Sequence, residues 1–355
     1  MKCWDAIIAG AGIIGVATAL ELRERGAEVL LLDRGEPGRE ASSAAAGMLC
    51  GVDPETPLRL RDMARECARV YPGFVAKVEG ASGIRVDHRR QGTIALDPED
   101  GDAALPEEFR ALSLAELSDL EPALQSRNLK AFFVQEDCVD PDLLMQALVR
   151  TAELRGIEIR RGVAMREMRA VPGRSTGGLI EVVTNAGPLV AKATVNCCGS
   201  WSGAPVAPRK GQMLYVQPQR AGLMQHVVRA PDSYMVPRSN GKVLLGTTVE
   251  DAGFDKSVVP ATIQKLHAAA ARYFPELASA PVTATWTGLR PGSPDDLPLM
   301  GETETPGVFV ASGHFRNGIL LAPLTAQIMA NLVMGKPPGT DISAFSPLRF
   351  AGKDQ

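Results

Sequence analysis

No two of the six cysteines form a C-x-x-C pair, and His88, His226, His267 and His314 stand far apart in the chain. Metal-ligand spacing is therefore absent. Six cysteines in 355 residues are also too few to staple a fold, so no disulfide framework is expected. No uninterrupted apolar run reaches about 18 residues, which excludes a simple membrane-spanning helix. Basic tracts are missing and the formal net charge is only −3, so nucleic acid and anionic membrane surfaces are poor partners. An apolar leader with a cleavage site, internal repeats and low-complexity tracts are lacking as well. The expectation is a cytoplasmic protein.

At 355 residues and 45% hydrophobic, the chain can bury a large core and divide into two domains. Residues 4–9 read as a buried strand, 13–25 as a helix stopped by Gly26, and 28–32 as the next strand. That opening is a βαβ unit and implies a parallel sheet. Ser42 and Ser43 are expected to cap a small-residue helix over 44–49, and an amphipathic helix is expected over 56–80. A loop is expected at 97–102. A helix over 142–155 leads into strands at 158–160, 163–170, 179–184 and 193–198. Between Lys210 and Glu250 the pattern turns to antiparallel β. There Asn240-Gly241 between two apolar runs predicts a tight primed hairpin turn. Pro237 places its strand at an edge or a bulge. Helices over 260–274 and 319–334 follow. The fold class is α/β: a Rossmann-like nucleotide domain with a parallel sheet (1–51, 131–208, 287–355), interleaved with an antiparallel-sheet α+β substrate domain (52–130, 209–286).

Gly10-Ala11-Gly12-Ile13-Ile14-Gly15 follows a strand and opens a helix, the context a dinucleotide fingerprint needs. The first glycine permits the turn, the second admits a pyrophosphate, and the third lets helix pack on strand. The helix start offers free N–H groups to phosphate. Asp33, about 20 residues on, is placed to accept from a ribose diol. Its carboxylate disfavours a ribose phosphate, while Arg34 beside it works the other way. The bulk-free stretch Ser42 to Leu49 suits an extended flat cofactor such as FAD, or simply permits tight helix packing.

Near the C terminus, Gly313-His314-Phe315-Arg316-Asn317-Gly318 precedes a helix whose first amides would favour an anion. Asn317 also fits the role of a plain cap. Arg290, in the glycine-bounded turn Gly288-Leu289-Arg290-Pro291-Gly292, carries a planar fork that matches a carboxylate. A salt bridge with Asp295 or Asp296 is the other reading. Tyr234 reads as a core residue or as a second donor to the same carboxylate. Cys197-Cys198 reads as a buried strand end rather than a redox pair.

The segments 43–49, 234–238, 288–292 and 313–323 resemble the glycine oxidases of thiamine biosynthesis, members of the D-amino-acid oxidase family of FAD-dependent oxidoreductases. The resemblance runs nearly end to end. It implies noncovalent FAD, a homo-oligomer, and oxidation of glycine, sarcosine and small D-amino acids by dioxygen. The products implied are glyoxylate or its imine, ammonia and hydrogen peroxide, with a thiazole-synthesis enzyme as a partner. By resemblance, Arg290 and Tyr234 hold the substrate carboxylate, Arg316 lies close to the amino acid, and Met48 and Val249 wall the site. Val249 stands where a relative carries methionine. Gly10, Gly12, Ile13, Ile14, Gly15, Asp33, Arg34, Ser42, Ser43, Gly47, Met48, Leu49 and Met165 are expected at the cofactor. His314, Phe315, Arg316, Asn317, Gly318, Ile319 and Leu320 are expected along the flavin. The connection 203–209 is short, which bears on subunit contacts. Two other readings stand: a D-amino-acid dehydrogenase passing electrons to a quinone, and a noncatalytic flavin-binding subunit.

Overall fold

The computed structural model describes residues 2–98, 105–126, 129–171 and 178–351. The loop expected at 97–102 lies mostly outside them. Helix α1 is Ile13–Glu24, α2 Arg61–Ser82, α3 Leu114–Leu120, α4 Pro141–Leu154, α5 Pro260–Tyr273 and α6 Gly318–Val333.

Strand Cys3–Ala9 sits in the middle of the first eight-stranded sheet, parallel to Val29–Leu32 on one side and Gly187–Asn196 on the other. Its burial explains the position. Ala6, Ile7 and Ile8 have no exposed surface, as a strand covered on both faces requires. Val308–Ser312 extends the parallel part, and Met165–Ala170 and Ile180–Thr184 add an antiparallel edge. Helices α1, α4 and α6 cover one face in a single apolar cluster. Helix α2 joins that cluster through Met63, Cys67, Tyr71 and Val75. Its position in sequence put it with the substrate domain, but its apolar stripe packs on the nucleotide side.

The second eight-stranded sheet runs in the order Val282–Gly292, Ala207–Val216, Val243–Gly246, Ser233–Pro237, Val227–Ala230, Thr93–Pro98, Leu129–Val134 and Arg110–Leu112. All its pairs are antiparallel except Val227–Ala230 with Thr93–Pro98. Helix α5 packs on it through Ile263, Leu266 and Ala270. A small sheet of Met48–Leu49, Asp137–Val139 and His88–Arg89 lies between the two large ones in the chain's path.

Several expectations change. Residues 44–49 form a turn and then a strand, not a helix. Gly47 takes φ +79, and a Cβ there would stand 1.9 Å from the Val139 carbonyl, so the chain must leave helical space at that point. The hairpin after Tyr234 is not closed by a two-residue primed turn. Arg238 N–H bonds the Lys242 carbonyl and Gly241 N–H bonds Arg238, with only Gly241 at positive φ. That is a three-residue loop with glycine in the left-handed position. Pro237 lies in an interior strand, not at an edge. Val227–Ala230 pairs only with Ser233 to Met235, so the missing proline N–H breaks no ladder bond. Arg290 and Pro291 lie inside the edge strand Val282–Gly292 rather than in a turn, and Pro291 faces Pro208.

Candidate active site

A cavity of about 890 Å³ opens between the two large sheets. Its first wall is the loop from Cys3–Ala9 into α1. Gly10 has φ +99, and a Cβ there would stand 2.4 Å from the Cys197 carbonyl, so no other residue fits. Gly10, Gly12, Ile13 and Ile14 face the cavity. Gly15 does not; a Cβ on it would meet the Gly10 carbonyl at 1.9 Å, so it serves helix packing.

Both Asp33 carboxylate oxygens face backbone donors, Ala11 N–H at 2.7 Å and Gly35 N–H at 2.8 Å. The side chain thus ties the glycine loop to the end of Val29–Leu32. Each oxygen keeps lone-pair capacity for a ligand hydroxyl. Arg34 lies 3.7 Å above the Trp201 ring and pairs with Glu40 at 2.6 Å. Ser42 caps α1, not a helix of its own: its Oγ accepts from Ile13 N–H at 3.0 Å, where Gly12 supplies no side-chain cap. Gly47, Met48 and Met165 line the same space, whereas Ser43, Leu49 and Leu320 do not; Leu49 and Leu320 are buried in the apolar cluster. The glycine cradle, the open start of α1 and the carboxylate at the strand end together fit an adenine dinucleotide.

At the far end, His314, Phe315, Arg316, Asn317, Gly318 and Ile319 line the cavity. Asn317 makes no side-chain cap to α6, so the first amides of that helix keep their donor capacity toward the cavity. His314 is buried against Thr325 Oγ1 at 3.1 Å, and burial pulls its pKa down to about 3. It is neutral. The guanidinium of Arg316 pairs with Glu55 at the cavity wall.

Arg290 decides between its two readings. Asp295 is taken by Arg349 at 2.9 Å, and no carboxylate among the described residues pairs with Arg290. Its Nη2 donates to Thr247 Oγ1 at 2.9 Å and its Nη1 to the Thr248 carbonyl at 3.1 Å. Burial lowers its pKa; the Tyr234 phenol opposes that and the Arg316 charge adds to it. A shielded cation without a counter-ion calls for an anion. Tyr234 lies beside it, its phenol raised by burial and pulled back by Arg290, with Oη 3.5 Å from Met213 Sδ. Val249 and Met48 also line the cavity, and Val249 is 57% exposed. Cys197 and Cys198 are free thiols whose pKa values burial raises, Cys198 to about 12, so neither is a thiolate.

The chain belongs to the FAD-dependent oxidoreductases. The family profile described as DAO, FAD dependent oxidoreductase, matches residues 5–332. The bifunctional protein ThiO/ThiG of Trichormus variabilis is 32% identical over 98% of this chain and 55% of its own length. The chain thus spans about half the length of the bifunctional relatives it matches. The glycine oxidase of Pseudomonas putida is 31% identical, over 97% of this chain and 98% of that protein. The crystal structure of glycine oxidase from Geobacillus kaustophilus superposes with a TM-score of 0.90 at 30% identity, over 98% of this chain and 99% of that one.

The sequence reading missed Thr247 and Thr248, which hold Arg290, and Trp201, which carries Arg34. Nothing local marks them, because each acts through a partner more than 40 residues away or on another strand. Among the described residues no cluster of His, Cys, Asp or Glu is arranged to hold a metal, and no helix is long and apolar enough to cross a membrane.

Proposed function

We propose that this chain is an FAD-dependent amino-acid oxidase acting on glycine, and on sarcosine and small D-amino acids. The observation that carries the reading is Arg290: a half-buried guanidinium without a carboxylate partner among the described residues, facing the cavity into which the dinucleotide loop opens. The glycine-oxidase relatives that match the chain nearly end to end support the same substrate.

Gly10, Gly12, Asp33 and the start of α1 would hold the nucleotide end of noncovalent FAD, with Gly47, Met48 and residues 314–319 along its flavin. When bound, FAD supplies the two-electron oxidation. Arg290 binds the substrate carboxylate through parallel charge-assisted hydrogen bonds, contributing about 1.5–3 kcal/mol. Tyr234 closes beside it, and Met48 and Val249 limit the space around the α-carbon. Among the described residues no side chain is assigned as a general base: burial holds the His314 pKa down at about 3, which makes its imidazole too weak a base, and its ring is bonded to Thr325. Overall, glycine, dioxygen and water give glyoxylate, ammonia and hydrogen peroxide. The carboxylate is held fixed, so orientation rather than proton transfer is the protein's contribution.

The same reading places the protein in the cytoplasm as a homo-oligomer that supplies thiazole synthesis in thiamine biosynthesis. The ThiO/ThiG relatives, in which a segment like this chain is joined to a second one, support the link to thiazole synthesis. Anaerobic mixing of the purified holoprotein with glycine, sarcosine and small D-amino acids tests the activity. Bleaching of the yellow chromophore with glycine, and peroxide release on admitting oxygen, are expected. An unbleached chromophore refutes the reading; bleaching without peroxide moves it to a dehydrogenase.

A further inference from the structure

We propose that Gly211 is a positioning residue for substrate binding: its bare Cα is the seat on which the Arg290 guanidinium lies, with the Thr247 hydroxyl as its anchor. This rests on the carboxylate-binding reading above. Strand Ala207–Val216 runs antiparallel to Val282–Gly292, with Gly211 opposite Gly288 and Arg209 opposite Arg290. Residues two apart share a face. Arg290 therefore leaves the sheet on the same face as Gly288, diagonal to Gly211. The side chain folds along that diagonal. A Cβ at Gly211 would stand 2.3 Å from Arg290 Nη1, 2.5 Å from Nη2 and 2.6 Å from Cζ. Such short distances to both terminal nitrogens and to Cζ mean that the end of the guanidinium lies against the bare backbone, in the space a side chain would take.

Gly211 is not among the glycines at positive φ, so the backbone itself tolerates any residue there. Space is what requires glycine. The three atoms nearest an added methyl all belong to the far end of a flexible side chain, so the fold is expected to survive while the guanidinium moves. Function and folding are separable at this position.

The anchors come from the neighbouring chain segment. Thr247 Oγ1 accepts from Nη2, and its own hydrogen has the Gln212 carbonyl at 3.2 Å. Gln212 N–H holds Thr248 Oγ1 at 3.0 Å, and Gln212 Nε2 donates to Glu250 at 2.8 Å. The residue after the seat thus fixes the anchors. A guanidinium has five N–H donors; the anchors use one on each terminal nitrogen, and even with the Tyr234 phenol alongside, donors remain for a carboxylate. Tyr234 is seated in the same way. It pairs with Gly246, where a Cβ would stand 2.5 Å from the phenol Cζ and 2.6 Å from Oη. Both groups expected at the substrate carboxylate lie on bare backbone, which removes rotamers they would otherwise lose on binding.

The test is steady-state kinetics on glycine with the FAD-loaded variants Gly211→Ala, Arg290→Ala, the double variant, Thr247→Val and Thr247→Ser, with FAD content read from absorbance. Gly211→Ala is expected to retain FAD and raise KM about ten- to a hundredfold, the loss that ångström-scale misplacement brings. Added to Arg290→Ala it should change KM no further, because the group it seats is gone. Thr247→Val should follow Gly211→Ala, and Thr247→Ser should restore wild-type KM. A wild-type KM in Gly211→Ala, beside a raised one in Arg290→Ala, overturns the seat alone, as does an effect that adds in the double variant. A wild-type KM in Arg290→Ala overturns the carboxylate reading and this role with it. Should Gly211→Ala fail to fold, the threonine pair decides: equal KM in valine and serine variants overturns the proposal.

Discussion

The Tyr71 phenol, on α2, donates to the Ile319 carbonyl at 3.1 Å, in the first turn of α6. In an unbroken helix that carbonyl would bond the N–H of residue 323, but residue 323 is proline and has none. A helix from elsewhere in the chain supplies the missing donor. The bond fixes the turn of α6 whose residue Ile319 lines the cavity. Tyr71→Phe leaves that carbonyl buried and unpaired at a cost of about 1–3 kcal/mol. Chemical denaturation should show the loss, and a variant as stable as wild type would mean that the carbonyl finds another donor.

Arg290→Lys keeps the charge and removes the planar fork. Because lysine cannot reproduce two parallel bonds, kcat/KM for glycine should fall about ten- to a hundredfold. FAD content should not change. Unaltered kinetics would show that charge alone binds the carboxylate.

Asp33→Ala removes the acceptor for Ala11 N–H and Gly35 N–H together with the group placed for a ribose. The glycine loop loosens and the nucleotide loses a hydrogen bond, so FAD should dissociate during gel filtration that wild type survives. Equal FAD-to-protein ratios after that step would remove Asp33 from the cofactor site.

His314 is buried and its pKa lies near 3. The unfolded imidazole protonates first, so native stability is full above the unfolded value near 6.5 and falls as pH drops toward 3. Between pH 7 and pH 5 this one group accounts for about 2 kcal/mol. His314→Gln cannot titrate, and its stability should vary less over that interval. Parallel pH dependence for both proteins would show the imidazole to be accessible to protons.

The hydrophobic runs at Cys3–Ala9 and Val29–Leu32, with the glycines between them, were legible because strand burial and turn sterics act over neighbouring residues. So were α4, α5 and α6, each within a residue or two. Residues 44–49 misled for the same reason: three consecutive alanines have good helix propensity, and the positive φ of Gly47, packed against Val139 and Pro141, takes the chain out of the helix. Pro237 misled because its strand's neighbours, and how far they reach, are set by distant pairing. Arg290 was singled out, yet its environment was not readable. Whether it met Asp295 or a cavity depended on Arg349 capturing that aspartate.

By itself the sequence determined the nucleotide loop, the alternation of strands and helices, and which side chains carry the needed charge and planarity. Those are properties of short stretches, governed by local sterics and by the chemistry of each residue. Only the tertiary structure decided that Arg290 lacks a protein carboxylate, that Ser42 caps α1, and that Tyr71 completes α6. Each depends on groups far apart in the chain, and the energy of a buried charge or an unpaired carbonyl is set by what surrounds it rather than by what precedes it.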